Sequence, residues 1–73
     1  MRIETTHTNI TGWHESGIIE LQKKIKEAEQ LAIADNINYY VVKISGEYIP
    51  LPESMAVSNY KILATIKFDG SAQ

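Results

Sequence analysis

Residues 17–34 repeat apolar side chains at a helical period, and this limits what the rest of the chain can be. Ile18, Leu21, Ile25, Ala28 and Ala32 recur at spacings of three and four. With about 100° of turn per residue they form one stripe along one side of a helix. A helix with a single apolar stripe has to bury it against a second layer. The remaining segments of this 73-residue chain are β-branched or alternate in polarity, so the second layer is expected to be a sheet. The helix is expected to start between Trp13 and Ser16, capped by Thr11 or Ser16 through a side-chain oxygen. Asp35-Asn36 should end it, because Asn tolerates the left-handed conformation that closes many helices. Glu20 precedes Lys24 by four, the favourable order for a helical ion pair. Ile19 and Ile33 lie off the stripe, either as exposed isoleucines or as a subunit contact.

Around this helix the sequence predicts three strands. Residues 2–10, with Thr5, Thr6 and Thr8, read as an edge strand with no strongly apolar face, broken by Thr11-Gly12. Residues 37–49 read as one long strand with Ser45-Gly46 as a bulge. A hairpin there would leave only 47–51 as a strand, ending on a proline. The turn is placed instead at 50–54, with Pro50, Pro52 and Ser54. Residues 56–68 form the last strand. Tyr60, Ile62, Ala64, Ile66 and Phe68 point one way and Lys61, Thr65 and Lys67 the other, with Leu63 breaking the polar side. Residues 69–73 are a short tail. The fold class is therefore α+β: a single β-α-β-β domain over 1–73, a three-stranded antiparallel sheet with one helix on one face. Its second face is left bare, carrying Tyr39 or Tyr40, Val41 or Val42, and Leu63. A bare apolar and aromatic face marks an interaction surface.

Size leads to the same expectation. Domains below roughly 70–80 residues gain little from one core and usually need a staple. The chain has no cysteine, and no metal cage is visible in its sequence. Self-association is the staple that remains. The formal net charge of −2 gives no field for nucleic acid or an anionic membrane. No run approaches the ~18 apolar residues of a spanning helix. Met1-Arg2-Ile3-Glu4 lacks the order of a signal peptide, so a cytoplasmic protein is expected.

Catalytic patterns are weak. His7 and His14 would need a third ligand such as Glu4 or Glu15, and His14-Glu15 lacks the second histidine of a zinc-protease helix. The stretch Gly12-Trp13-His14-Glu15-Ser16-Gly17 does not match a nucleophile elbow. Gly12, Gly17, Gly46 and Gly70 are too scattered for a phosphate loop. Glu20, Glu27 and Glu29 compensate Lys23, Lys24 and Lys26, which argues against nucleic-acid binding. Neither an enzyme nor a metal site is expected.

The aromatic residues are the most informative set. Trp13, Tyr39, Tyr40, Tyr48 and Tyr60 are many for so short a chain. They either pack the core and sheet or offer a stacking platform for a flat ligand and anchors for a partner.

Ile37-Asn38-Tyr39-Tyr40 opens the second strand, and Val57-Ser58-Asn59-Tyr60-Lys61-Ile62 leads into the last. In these two stretches the chain resembles the dodecins, small strand–helix–strand–strand proteins that assemble into hollow shells and bind flavin. The likeness covers residues 37–68, about half the chain. It implies flavin as a cofactor, with Tyr39 in place of the family's flavin-stacking tryptophan and Lys61 in place of its flavin-bonding glutamine. The segment between the first and second strands is longer here.

Taken together, the residues predict a small non-catalytic binding or inhibitor protein working as a homo-oligomer. It would sequester a small molecule or occlude a protein partner, in the manner of accessory proteins of bacteria and their phages. Tyr39, Tyr40, Tyr60, Lys61 and Trp13 are the candidate ligand or partner site. The alternative is dodecin-like storage of flavin or another small ligand.

Overall fold

A computed structural model describes residues 2–56 and 60–70. The chain runs β1 (Arg2–His7), α1 (Glu15–Asp35), β2 (Tyr39–Ile44), β3 (Glu47–Pro52), a short 3-10 turn (Glu53–Met55) and β4 (Lys61–Asp69). The fold class is α+β as expected, but the sheet has four strands, in the order β1-β4-β2-β3, with every neighbouring pair antiparallel.

The helix forms where the apolar stripe lies. Leu21, Ala28 and Ala32 are fully buried on it, with Ile25 partly buried beside them, while Ile19 and Ile33 are exposed. The two alanines let the helix approach the sheet closely. Asn36 closes the helix at φ 59°, ψ 38°, and the next amide, Ile37 N–H, donates back to the Ala32 carbonyl at 3.3 Å. The start differs from expectation. His14 is the N-cap and makes no side-chain cap bond, so neither Thr11 nor Ser16 fills that role. The lead-in is fixed by backbone instead: Gly12 at φ 87° completes a turn in which Trp13 N–H donates to the Ile10 carbonyl. The ion pair on the helix is Lys24–Glu27 at 3.4 Å rather than Glu20–Lys24.

The extra strand comes from Ser45-Gly46. These residues are a two-residue hairpin turn, not a bulge: both have positive φ, 51° and 81°, as the turn that matches sheet twist demands. The chain then folds back along β2 with Tyr39 opposite Pro52 and Ile44 opposite Glu47. Residues 50–52, expected as a turn, are the end of β3. The two prolines fit there because β3 is an edge strand. Residues two apart aim their nitrogens at the same edge, and the outer edge has no ladder donor to lose.

The bulge of this sheet lies elsewhere. On β4, Ala64 faces Val41 but Ile62 faces Val42, so Leu63 is the extra residue between them. The bulge reverses the alternation of the strand. Leu63, expected on the bare face, belongs to the buried core with Leu21, Val41 and Ile66, while Ile62, expected inside, is 44% exposed. Of the bounds predicted for the last strand, 57–59 lie outside the described residues. Tyr60 precedes β4 rather than lying in it, and Asp69, expected in the tail, is its last residue.

Candidate functional site

Register fixes the two faces of the sheet. Thr5 Oγ1 donates to Glu29 of α1 at 2.5 Å, so Ile3, Thr5 and His7 of β1 face the helix. The pairings carry that face across to Ile66 and Ala64, then to Tyr39 and Val41, then to Pro52 and Pro50. The opposite face carries Arg2, Glu4 and Thr6 on β1 and Lys67, Thr65 and Ile62 on β4. It continues with Tyr40, Val42 and Ile44 on β2 and Glu47, Ile49 and Leu51 on β3.

This open face is divided. Its β1–β4 half is polar and of mixed charge, with Arg2 within 3.9 Å of Glu4. Its β2–β3 half is apolar, with Val42 fully buried between Ile49 and Ile62, its partners in register. Tyr40 sits at the end of the apolar half. Its hydroxyl donates to Glu53 Oε2 at 3.2 Å, and the Asn38 side-chain amide donates to the same oxygen at 3.2 Å. These bonds tie the 3-10 turn to β2. Burial, then the bond to Glu53 and its negative charge, raise the Tyr40 phenol above its ordinary range.

Tyr39 points the other way. Its ring is in the core, and its hydroxyl donates to Asp35 at the end of α1. That bond, then burial, then the charge of Asp35, also raise its phenol. Tyr39, expected from the sequence as part of a ligand site, is thus a strut between β2 and the helix C-terminus.

A second surface lies where α1 begins. Gly12, Trp13, His14, Ser16, Gly17, Lys43 and Tyr48 line an open cleft of ≈310 Å³. The Trp13 and Tyr48 rings stack 14° from parallel with centroids 6.3 Å apart, and both also pack against the core. Lys43 Nζ stands 5.6 Å from the Tyr48 ring centre. Tyr48 is held opposite Lys43 by the β2–β3 pairing, and Lys61 is held opposite Lys43 by the β2–β4 pairing. One row across the sheet therefore reads Lys61, Lys43, Tyr48, with Trp13 beyond.

The predicted site residues thus divide between places. Trp13 and Lys61 are at the cleft end of the helix face, Tyr40 is on the open face, Tyr39 is inside, and Tyr60 is half-buried just before β4. Lys43 and Tyr48 are the cleft residues that sequence reasoning did not select together. The signal was present, since a hairpin at Ser45-Gly46 puts Lys43 opposite Tyr48. Reading that dipeptide as a bulge hid it.

His7 is committed locally, its Nδ1 donating to the Thr8 carbonyl at 2.8 Å. Among the described residues no three His, Asp or Glu side chains group to hold a metal. No helix among them is long and apolar enough to cross a membrane. No protein-family model, curated protein or solved structure matches the chain.

Proposed function

We propose that this chain is a non-catalytic binding protein that works as a homo-oligomer, joined through the apolar half of its open sheet face and sequestering a small molecule. The observation that carries the reading is the division of that face: Tyr40, Val42, Ile44, Ile49, Leu51 and Ile62 are contiguous on neighbouring strands, and among the described residues no helix lies over them. Three features favour a second copy as the occupant. The described core has few large side chains (Leu21, Tyr39, Val41, Leu63 and Ile66), and a chain this short gains stability most readily by covering more apolar surface. Pro50 and Pro52 blunt the β3 edge, which disfavours growth by strand addition there. The polar half carries both signs, with Arg2, Glu4 and Lys67, so the same surface turned through a two-fold axis can pair with itself.

Native mass spectrometry tests this. A protein of 8.2 kDa per chain should appear at a fixed multiple of that mass at micromolar concentration. Ile62→Lys alters a side chain that is already 44% exposed; it should leave the fold intact and give single chains. A wild-type protein that is monomeric at that concentration overturns the assembly.

A further inference from the structure

We infer that the cleft at the start of α1 binds a nucleoside phosphate, its flat base against the Trp13–Tyr48 pair and its phosphate on Lys43 and Lys61. The inference rests on the binding-protein reading for its purpose but not on the assembly.

Lys43 and Lys61 are directly opposite on adjacent antiparallel strands, where side-chain bases lie about 5 Å apart and like charges destabilise the sheet. Among the described residues neither lysine makes an ion pair, since the ion pairs found are Arg2–Glu4 and Lys24–Glu27. No carboxylate lines the cleft. Glu20 and Glu47 line a neighbouring cleft that shares Tyr48 and also contains Lys24. A chain of net charge −2 thus sets two lysines without an ion pair among the described residues side by side, against its overall sign: Lys43 lines the cleft, and Lys61 lies next to it in register on β4. Lys43 gains a cation–π contact with the Tyr48 ring, but pairing the two ammonium groups across the strands is itself unfavourable, whereas an anion placed between the two would turn repulsion into two charge-assisted contacts.

The neighbours of that point narrow the anion. Lys43 Nζ is 5.6 Å from the Tyr48 ring centre, and Tyr48 stacks on Trp13. An anion on Lys43 therefore sits one ring's width from an aromatic platform. Trp13 and Tyr48 are partly exposed, so ring surface remains available for stacking, which tolerates any base. A lysine ammonium suits phosphate as a compact point charge. The cleft's ≈310 Å³ is at the small end of the ~300–1,000 Å³ typical of ligand sites, which fits one nucleoside phosphate rather than a polymer.

Trp13 is the only tryptophan of the chain, so its fluorescence reports the site directly. The full protein is titrated with AMP, GMP, CMP and UMP, and with adenosine and inorganic phosphate as half-ligands. At least one mononucleotide should quench Trp13 saturably, with each half-ligand on the order of tenfold weaker or more. Lys43→Ala with Lys61→Ala should weaken that mononucleotide on the order of tenfold while the melting temperature holds or rises. Lys61→Glu, which sets an opposite charge across from Lys43, should raise the melting temperature and abolish binding. A stacking pair that only packs the helix start would show no saturable quenching by any mononucleotide at millimolar concentration, and that result overturns the site. Equal affinity in the double-lysine variant overturns it too. Light scattering on the same samples keeps the two readings apart: nucleotide bound by a single chain sinks the assembly alone, and an assembled protein that binds none sinks the site alone.

Discussion

Adjacent residues in β4 have opposite fates, and the difference rests on one bulge. Leu63 is 2% exposed and packs with Leu21 and Ile66, while Ile62 beside it is 44% exposed. Strict alternation along 60–68 assigns these two the wrong way round, because an inserted residue shifts the phase without changing the composition. The structure therefore predicts unequal costs for equal truncations. Leu63→Ala should lose roughly 2–5 kcal/mol in urea unfolding, the range for emptying a leucine site in a core. Ile62→Ala, measured at a concentration where the chain is single, should lose far less. Equal losses would mean that the strand is paired without the bulge. Tyr39 and Tyr40 carry a second residue-scale prediction. Each donates its phenol hydrogen to a carboxylate, Asp35 and Glu53 respectively, and each phenol is raised above its unfolded value. The folded state holds the proton more tightly, so this contribution to stability is intact below about pH 10 and is lost as pH rises through the higher folded-state values. Melting temperature should fall over that alkaline window, and the Tyr39→Phe, Tyr40→Phe double variant should flatten the fall. A wild-type curve that is level there rules out both bonds.

At the scale of elements, the helix was legible and the hairpin was not. The α1 stripe and its Asn36 closure follow from a period and a single residue's tolerance of left-handed backbone, both local properties. The first strand was legible as an edge for the same reason: its threonines favour extension, and neither face is apolar enough for the interior. The β2–β3 hairpin was missed because Pro50 and Pro52 argue against a strand unless its neighbours are known. Only the order β1-β4-β2-β3 shows that they sit on an outer edge, and order is a property of the whole sheet. The aromatic residues were legible as important but not as a group. Trp13 and Tyr48 meet only because the hairpin returns Tyr48 across from Lys43 toward the helix start. Ser45 shows that the turn is sound but not optimal. It holds φ 51°, where a side chain other than Asn or Gly is disfavoured by about 1 kcal/mol. Ser45→Asn gives the Asn-Gly pair that such turns favour most and should raise stability by roughly 0.5–1 kcal/mol, a shift of about 2–8 °C in melting temperature for a domain this size. A variant that melts at or below the wild-type temperature would show that the strands, not the turn, set the hairpin.

For the whole molecule, the decisive property is how stability depends on concentration. One helix covers one face of the four-stranded sheet, and in the proposed assembly a second copy covers the apolar half of the other. Copies that associate as folded chains and separate as unfolded ones couple folding to mass action. Diluting such a dimer a hundredfold weakens folding by about 2.7 kcal/mol per dimer, enough to lower its melting temperature by several degrees. A lone folded chain melts at the same temperature at every concentration. Calorimetry or circular dichroism across that dilution should therefore show a falling melting temperature for the wild type. Ile62→Lys should melt lower and independently of dilution, because a charge desolvated at the contact opposes association more than it affects an already exposed site. The cleft at the start of α1 lies on the helix side of the sheet, so dilution should leave its affinity for mononucleotides unchanged. If affinity fell with melting temperature, the partner copy would be completing the cleft. If the wild type melted at one temperature throughout, the open face would be a surface that the single chain leaves to water.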